Sequence, residues 1–157
     1  MIRKMIIENR NKTRMSGITD GVLERFNRDD LVDGVYVVPD EVHTIRAFAF
    51  NEIYEVKKVV LPKTLKRIEY IAFANSGLEE IEIPEGITEI EIRTFRNCPK
   101  LTKVILPTTL KRIRTNAFDG CDNLKEIAVS KDTIIAKDAF GDSKINVVYQ
   151  DNIEVTR

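Results

Sequence analysis

Apolar residues recur along this chain in a fixed order. From Tyr36 onward a short alternation, as in Leu78-Glu-Glu-Ile81-Glu-Ile83 or Leu124-Lys-Glu-Ile127-Ala-Val129, ends in two apolar residues separated by one other. Period two is the spacing of a strand with one face inward, so each alternation predicts a short strand. A proline follows at Pro39, Pro62, Pro84 and Pro107. Having no N–H to donate, it ends or bends the strand and marks a corner. Next come a second apolar pair, Leu65 and Ile68 or Leu110 and Ile113, and then Ala-Phe, as in Ala72-Phe73, Ala117-Phe118 and Ala139-Phe140. A small residue beside a large aromatic predicts a tight turn or short helix that drops each Phe into a stacked interior column.

This order repeats. Phe50, Phe73, Phe95, Phe118 and Phe140 are 23, 22, 23 and 22 residues apart, and Ile45, Ile68, Ile90, Ile113 and Ile135 keep the same phase. A period in the low twenties belongs to a solenoid, whose coils bury their apolar faces only by stacking on neighbours. The coils are expected at 36–55, 56–77, 78–100, 101–123 and 124–144. Ser130 replaces proline in the fifth, as a terminal repeat departs from its pattern. Ile145 to Tyr149 then reads as a closing strand, and its edge at Val147 to Tyr149 can pair with another chain. Ahead of the coils, Ile18-Thr19-Asp20-Gly21-Val22-Leu23 reads as a hairpin with an Asp-Gly turn, capping the first coil. The expected division is a cap segment at 1–34, a solenoid at 35–150 and a polar tail at 151–157.

These residues resemble the leucine-rich repeats of bacterial BspA-like, or Treponema pallidum-type, proteins, whose repeat reads L-x-x-L-x-L-P-x-x-L-x-x-I-x-x-x-A-F-x-x-C-x-x. The fourth coil matches it at Leu101, Val104, Leu106, Pro107, Leu110, Ile113, Ala117, Phe118 and Cys121. The lead-in, Asp20-Gly21-Val22-Leu23 with Val37-Val38-Pro39-Asp40-Glu41-Val42, is similar to the start of that repeat block. The resemblance covers about residues 18–150. It implies a leucine-rich repeat solenoid that is right-handed, α/β horseshoe-like but β-rich. Each 22–23-residue coil would carry one short strand, with short helical or irregular turns on the other side. It also implies adhesion or protein–protein binding, with which the family is associated, usually within large surface proteins.

Composition narrows the chemistry. At 157 residues the chain fits one domain with a continuous core. Lys plus Arg and Asp plus Glu are both 25, so no global field steers it toward nucleic acid or an anionic membrane. The run Met5-Ile6-Ile7 is too short for a signal-peptide core, and nothing later approaches a membrane span. The expected location is cytoplasmic, or secreted or surface-bound if a signal peptide has been removed. Cys98 and Cys121 each fall three residues after a repeat Phe and are expected as buried thiols in one column. A disulfide between adjacent coils is the alternative, which a reducing cytosol opposes. No second Cys or His lies at ligand spacing, so no metal is expected. His43 reads as a surface residue with no nucleophile in its motif. No phosphate-binding glycine loop or Ca²⁺ loop occurs, so neither cofactor nor enzymatic activity is expected.

The informative residues are those the repeat leaves free. Lys58, Glu80, Lys103 and Glu126 form an outward column of alternating sign, readable as exposed ion pairs worth under about 1 kcal/mol each. A second column, Val37, Val60, Glu82, Ile105 and Ala128, ending at Tyr149 or a neighbour, leaves apolar groups outward on a concave sheet. An apolar patch rimmed by charge is what a protein-binding site looks like, unless Lys and Glu stems cover it. The candidate partner-binding set is therefore Val37, Lys58, Val60, Glu80, Glu82, Lys103, Ile105 and Tyr149. An alternative is the basic flank Lys66, Arg67, Lys111, Arg112 and Arg114, joined by Arg3, Lys4, Arg10, Lys12 and Arg14 at the N-terminus, as a nucleic-acid or nucleoprotein surface. Glu85, Glu89 and Glu91 of the third coil would interrupt a stripe tracking phosphates. The expected function is a non-catalytic module gripping another protein on the concave strand face, as an inhibitor or adaptor of an intracellular machine. Nucleic-acid binding and an adhesin-type surface fragment stand as alternatives.

Overall fold

The structure, a computed structural model, describes residues 17–150. It opens with the expected hairpin, strand β1 (Ile18–Thr19) antiparallel to β2 (Val22–Leu23). Both turn residues, Asp20 and Gly21, have positive φ, the conformation that a two-residue hairpin turn demands. A Cβ on Gly21 would lie 2.5 Å from the His43 ring, so glycine also lets the hairpin seat against the first coil. The basic N-terminal stretch and the polar tail lie outside the described residues.

Each coil then contributes two strands. The first three coils hold β3 (Val35–Val37) with β4 (Thr44–Ile45), β5 (Lys58–Val60) with β6 (Arg67–Ile68), and β7 (Glu80–Glu82) with β8 (Glu89–Ile90). The next two hold β9 (Lys103–Ile105) with β10 (Arg112–Ile113), and β11 (Glu126–Ser130) with β12 (Ile134–Ile135). Strand β13 (Asn146–Gln150) follows. The opening strands stack in parallel as β3-β5-β7-β9 and β11-β13, and the second strands as β2-β4-β6 and β8-β10-β12. The solenoid is as expected, with a second two-residue strand per coil that period-two alternation cannot reveal. No α-helix occurs among the described residues; the one helical element is a 3-10 turn at Arg28–Asp30.

Proline sets strand length. Strands β3, β5 and β9 stop two residues short of Pro39, Pro62 and Pro107, and β7 stops two short of Pro84. Where Ser130 stands instead, β11 runs on to five residues and β13 pairs with it along its whole length. Without the ring that fixes φ at the corner, the chain stays extended through Ser130.

Three inward columns make the core. Val59, Ile81, Val104 and Ile127 come from the opening strands, and Ile45, Ile68, Ile90 and Ile113 from the second strands, all buried. Between them Phe50, Phe73, Phe95 and Phe118 stack at centroid distances of 5.0, 5.4 and 5.3 Å with nearly parallel ring planes. Each Phe sits in a turn, not a helix, and turn chemistry explains the tightness. Residues two before it (Phe48, Ile71, Arg93, Asn116) and two after it (Glu52, Asn75, Asn97, Gly120) take positive φ. This tilts the Phe peptide along the stack. The N–H of Phe50, Phe73, Phe95 and Phe118 donates to the carbonyl of Ala72, Thr94, Ala117 and Ala139 in the following coil.

The thiols of Cys98 and Cys121 are free and fully buried, donating to the carbonyls of Phe73 (3.2 Å) and Phe95 (3.0 Å). The hydrogen bond with Cys98 and then burial push the Cys121 pKa up.

Candidate protein-binding face

The outer surface of the opening strands carries the candidate site. Pleat alternation turns Val59, Ile81 and Val104 inward and therefore Lys58, Val60, Glu80, Glu82, Lys103 and Ile105 outward. These six residues line one shallow groove of about 560 Å³ across β5, β7 and β9, with Lys63 and Glu85 at its rim. Ile105 is 44% exposed and Val60 partly exposed, so the groove has an apolar floor. Glu82 and Ile105 are direct cross-strand partners.

The alternating charge column is in register, Lys58 opposite Glu80 and Glu80 opposite Lys103. Lys58 donates to Glu80, and this hydrogen bond, then the ammonium charge itself, holds the Glu80 carboxyl below its usual pKa of 4.5. Glu85 is tied down differently, accepting from the Thr108 N–H and hydroxyl, both at 2.9 Å.

Two of the proposed residues lie elsewhere. Val37 is only 6% exposed, so the open part of the apolar column begins at Val60. Tyr149 pairs with Val129, whereas Ala128 pairs with Val148. The last coil places Val148 only 8 residues after Phe140, against 10 from Phe95 to Ile105, which moves the column from Gln150 to Val148 and leaves Tyr149 on the inward parity either way.

On the flank, Lys66, Arg67, Lys111 and Arg112 are exposed, but the structure divides them. Glu89 stands opposite Arg112, and Arg114 donates to it through Nε (3.1 Å) and Nη2 (2.8 Å). Glu89 and Glu91 also share a small groove with Lys66 and Arg67. An acidic coil thus lies inside the basic flank, as the spacing implies. His43 is exposed, its ring nitrogens 3.0 Å from the Thr44 hydroxyl and 3.1 Å from the Asp20 carbonyl. Among the described residues, no three or more His, Cys, Asp or Glu side chains gather as a metal site would require, and no helix is long and apolar enough to cross a membrane.

One surface was missed in the sequence. Phe48, Tyr70 and Ile92 are each about half exposed just ahead of the Phe turns of the first three coils, and the Phe48 and Tyr70 rings meet edge to face at 5.7 Å. The signal was available: the fourth and fifth coils fill the positions of Tyr70 and Ile92 with Thr115 and Lys137, and that of Phe48 with Asn116 and Asp138.

The stacked strands, stacked phenylalanines and proline corners define a β-rich leucine-rich repeat solenoid, a fold that generally serves as a non-enzymatic binding scaffold. The sequence profile of the BspA type leucine rich repeat region matches residues 35–151 in 6 copies, and the chain belongs to this family. The sixth copy takes in β13, which the spacing reads as a closing strand. Such repeats are typically protein-interaction or adhesion modules. Among solved structures, a leucine-rich repeat protein from Bacteroides ovatus is similar at 26% identity and a TM-score of 0.59, over 75% of this chain and 37% of that one. The pneumococcal vaccine antigen PcpA is similar at 25% identity and a TM-score of 0.64, over 73% of this chain and 29% of the antigen. A leucine-rich repeat protein from Bacteroides capillosus shares the fold at 19% identity and a TM-score of 0.53, over 85% and 90%. The chain thus spans about a third of the length of the first two. A search of curated proteins finds no match.

Proposed function

We propose that this chain is a non-catalytic module that binds another protein in the groove across β5, β7 and β9. One observation carries the reading: Ile105 stands open and Val60 partly open on a floor bordered by lysines and glutamates alternating along its edge, Lys58, Glu80 and Lys103. Removing such apolar area from water is the main source of association free energy, about 25 cal/mol per Å². The flanking charges set which partner fits and in what register. The partner surface is therefore apolar at its centre with charges of both signs around it. The module is read as an inhibitor or adaptor of an intracellular machine, working by occupancy rather than chemistry.

The test is retention of partner proteins from lysate of the native source by wild type and by a Val60→Lys, Ile105→Lys double variant. The expected result is a protein held by wild type and lost from the variant, with an unchanged circular dichroism spectrum. Equal retention would sink the reading.

A second reading, a segment of a larger adhesin-type surface protein, draws on the chain's coverage of only 29% of a pneumococcal vaccine antigen. It predicts that antibodies to this chain label intact native cells; labelling only after lysis would exclude it.

A further inference from the structure

The two ends of the described solenoid are finished differently. At the start, the hairpin β1-β2 closes the second-strand sheet, and Phe26 ends the aromatic column by packing on Tyr36 and Phe50. At the far end β13 pairs with β11 alone, and no described strand covers its other edge. Tyr149 is 55% exposed there, while Ile135, Phe140 and Val147 are only partly covered. Solenoids need capped ends, because a bare end exposes both core and strand edge.

We propose that a second copy of this chain closes this end, its β13 pairing antiparallel with β13 about a twofold axis through Val148. The main chain points the right way. The Asn146 N–H donates to the Lys125 carbonyl, toward β11. By the alternation of a parallel ladder, Val148 and Gln150 also face β11, which leaves the N–H and C=O of Val147 and Tyr149 facing outward. Centring the pair on Val148 sets Val147 opposite the partner's Tyr149, so each such pair exchanges both hydrogen bonds. It is also the register that overlaps the whole strand.

The side chains suit the same register. Asn146 meets the partner's Gln150 amide to amide, Val147 meets the partner's Tyr149, and Val148 meets its own copy. Strand β13 has no charge, proline or glycine, the usual devices that protect an edge. By contrast β7, paired with itself in this way, would set Glu80 against Glu82. The two tyrosine rings would lie over the exposed ends of the two cores. A twofold contact uses the same surface on both copies and closes at a dimer instead of growing into a filament. The groove across β5, β7 and β9 stays open.

The test is sedimentation equilibrium of the 157-residue chain at up to about 1 mM, where even millimolar affinity populates a dimer. The expected result is a monomer–dimer equilibrium, with Val147 and Tyr149 amides gaining hydrogen-exchange protection as concentration rises. Tyr149→Pro removes an outward N–H while sparing the β11–β13 ladder, and should leave a folded monomer with the wild-type circular dichroism spectrum. Val148→Lys sets two ammonium groups face to face and should raise the dissociation constant at least about tenfold, while Val148→Thr keeps the dimer. A wild type that stays monomeric at every concentration overturns the proposal; protected amides in that monomer would assign the edge to residues 151–157. A dimer indifferent to both Tyr149→Pro and Val148→Lys overturns it as well.

Discussion

Tyr36 stands where later coils place Val59, Ile81, Val104 and Ile127. Its ring is fully buried against Phe26 and Phe50, and its hydroxyl has no hydrogen-bond partner among the described residues. Burial, with the Asp30 charge nearby, pushes its pKa up. A buried hydroxyl with no partner costs about 1–3 kcal/mol. Tyr36→Phe keeps the ring contacts and should raise unfolding free energy by about 1 kcal/mol in urea titration. Glu52 poses a backbone problem instead. It holds φ of 63° where Asn75, Asn97 and Gly120 stand in later coils, and its side chain is exposed. A left-handed conformation costs an ordinary residue roughly 1–2 kcal/mol and asparagine less. Glu52→Asn should therefore stabilise by up to about 1 kcal/mol, read in the same titration.

At the scale of the strands, the Lys58–Glu80 pair ties β5 to β7 across the proposed groove. Glu80 has its folded pKa depressed, so its contribution is present above the unfolded value near 4.5 and lost as pH falls through the folded one. Both side chains are more than a third exposed or nearly so, which holds the pair to well under about 1 kcal/mol. Glu80→Gln should lower stability slightly at pH 7 and flatten its decline below about pH 4.5, measured as Tm against pH.

Strands of this kind were only half legible. The opening strands and prolines showed in sequence because inward positions must be apolar in every coil. A two-residue strand such as Arg67–Ile68 has a single inward residue and no alternation to detect. Exposure was harder still: Val60 and Val37 are alike in sequence, yet one is partly open and the other covered. Tyr149 falls on the inward parity of its strand, opposite Val129, while its neighbour Val148 takes the outward column.

Across the whole molecule, the phenylalanine column sets cooperativity. Phe95 lies between Phe73 and Phe118, fully buried, so Phe95→Ala removes two ring contacts at once. It should cost roughly 3–5 kcal/mol in chemical denaturation, enough to threaten neighbouring coils as well as its own.

Both strand ladders are interrupted, but at different heights. The opening-strand ladder stops between β9 and β11, the second-strand ladder between β6 and β8. The hydrogen bonds of the Phe turns run through both levels, Phe73 to Thr94 at one and Phe118 to Ala139 at the other, with Phe95 to Ala117 between. A bricklayer staggers vertical joints so that no crack can run straight through a wall. Here too no single plane parts all the seams, so the molecule can flex at each interruption without having a place to split.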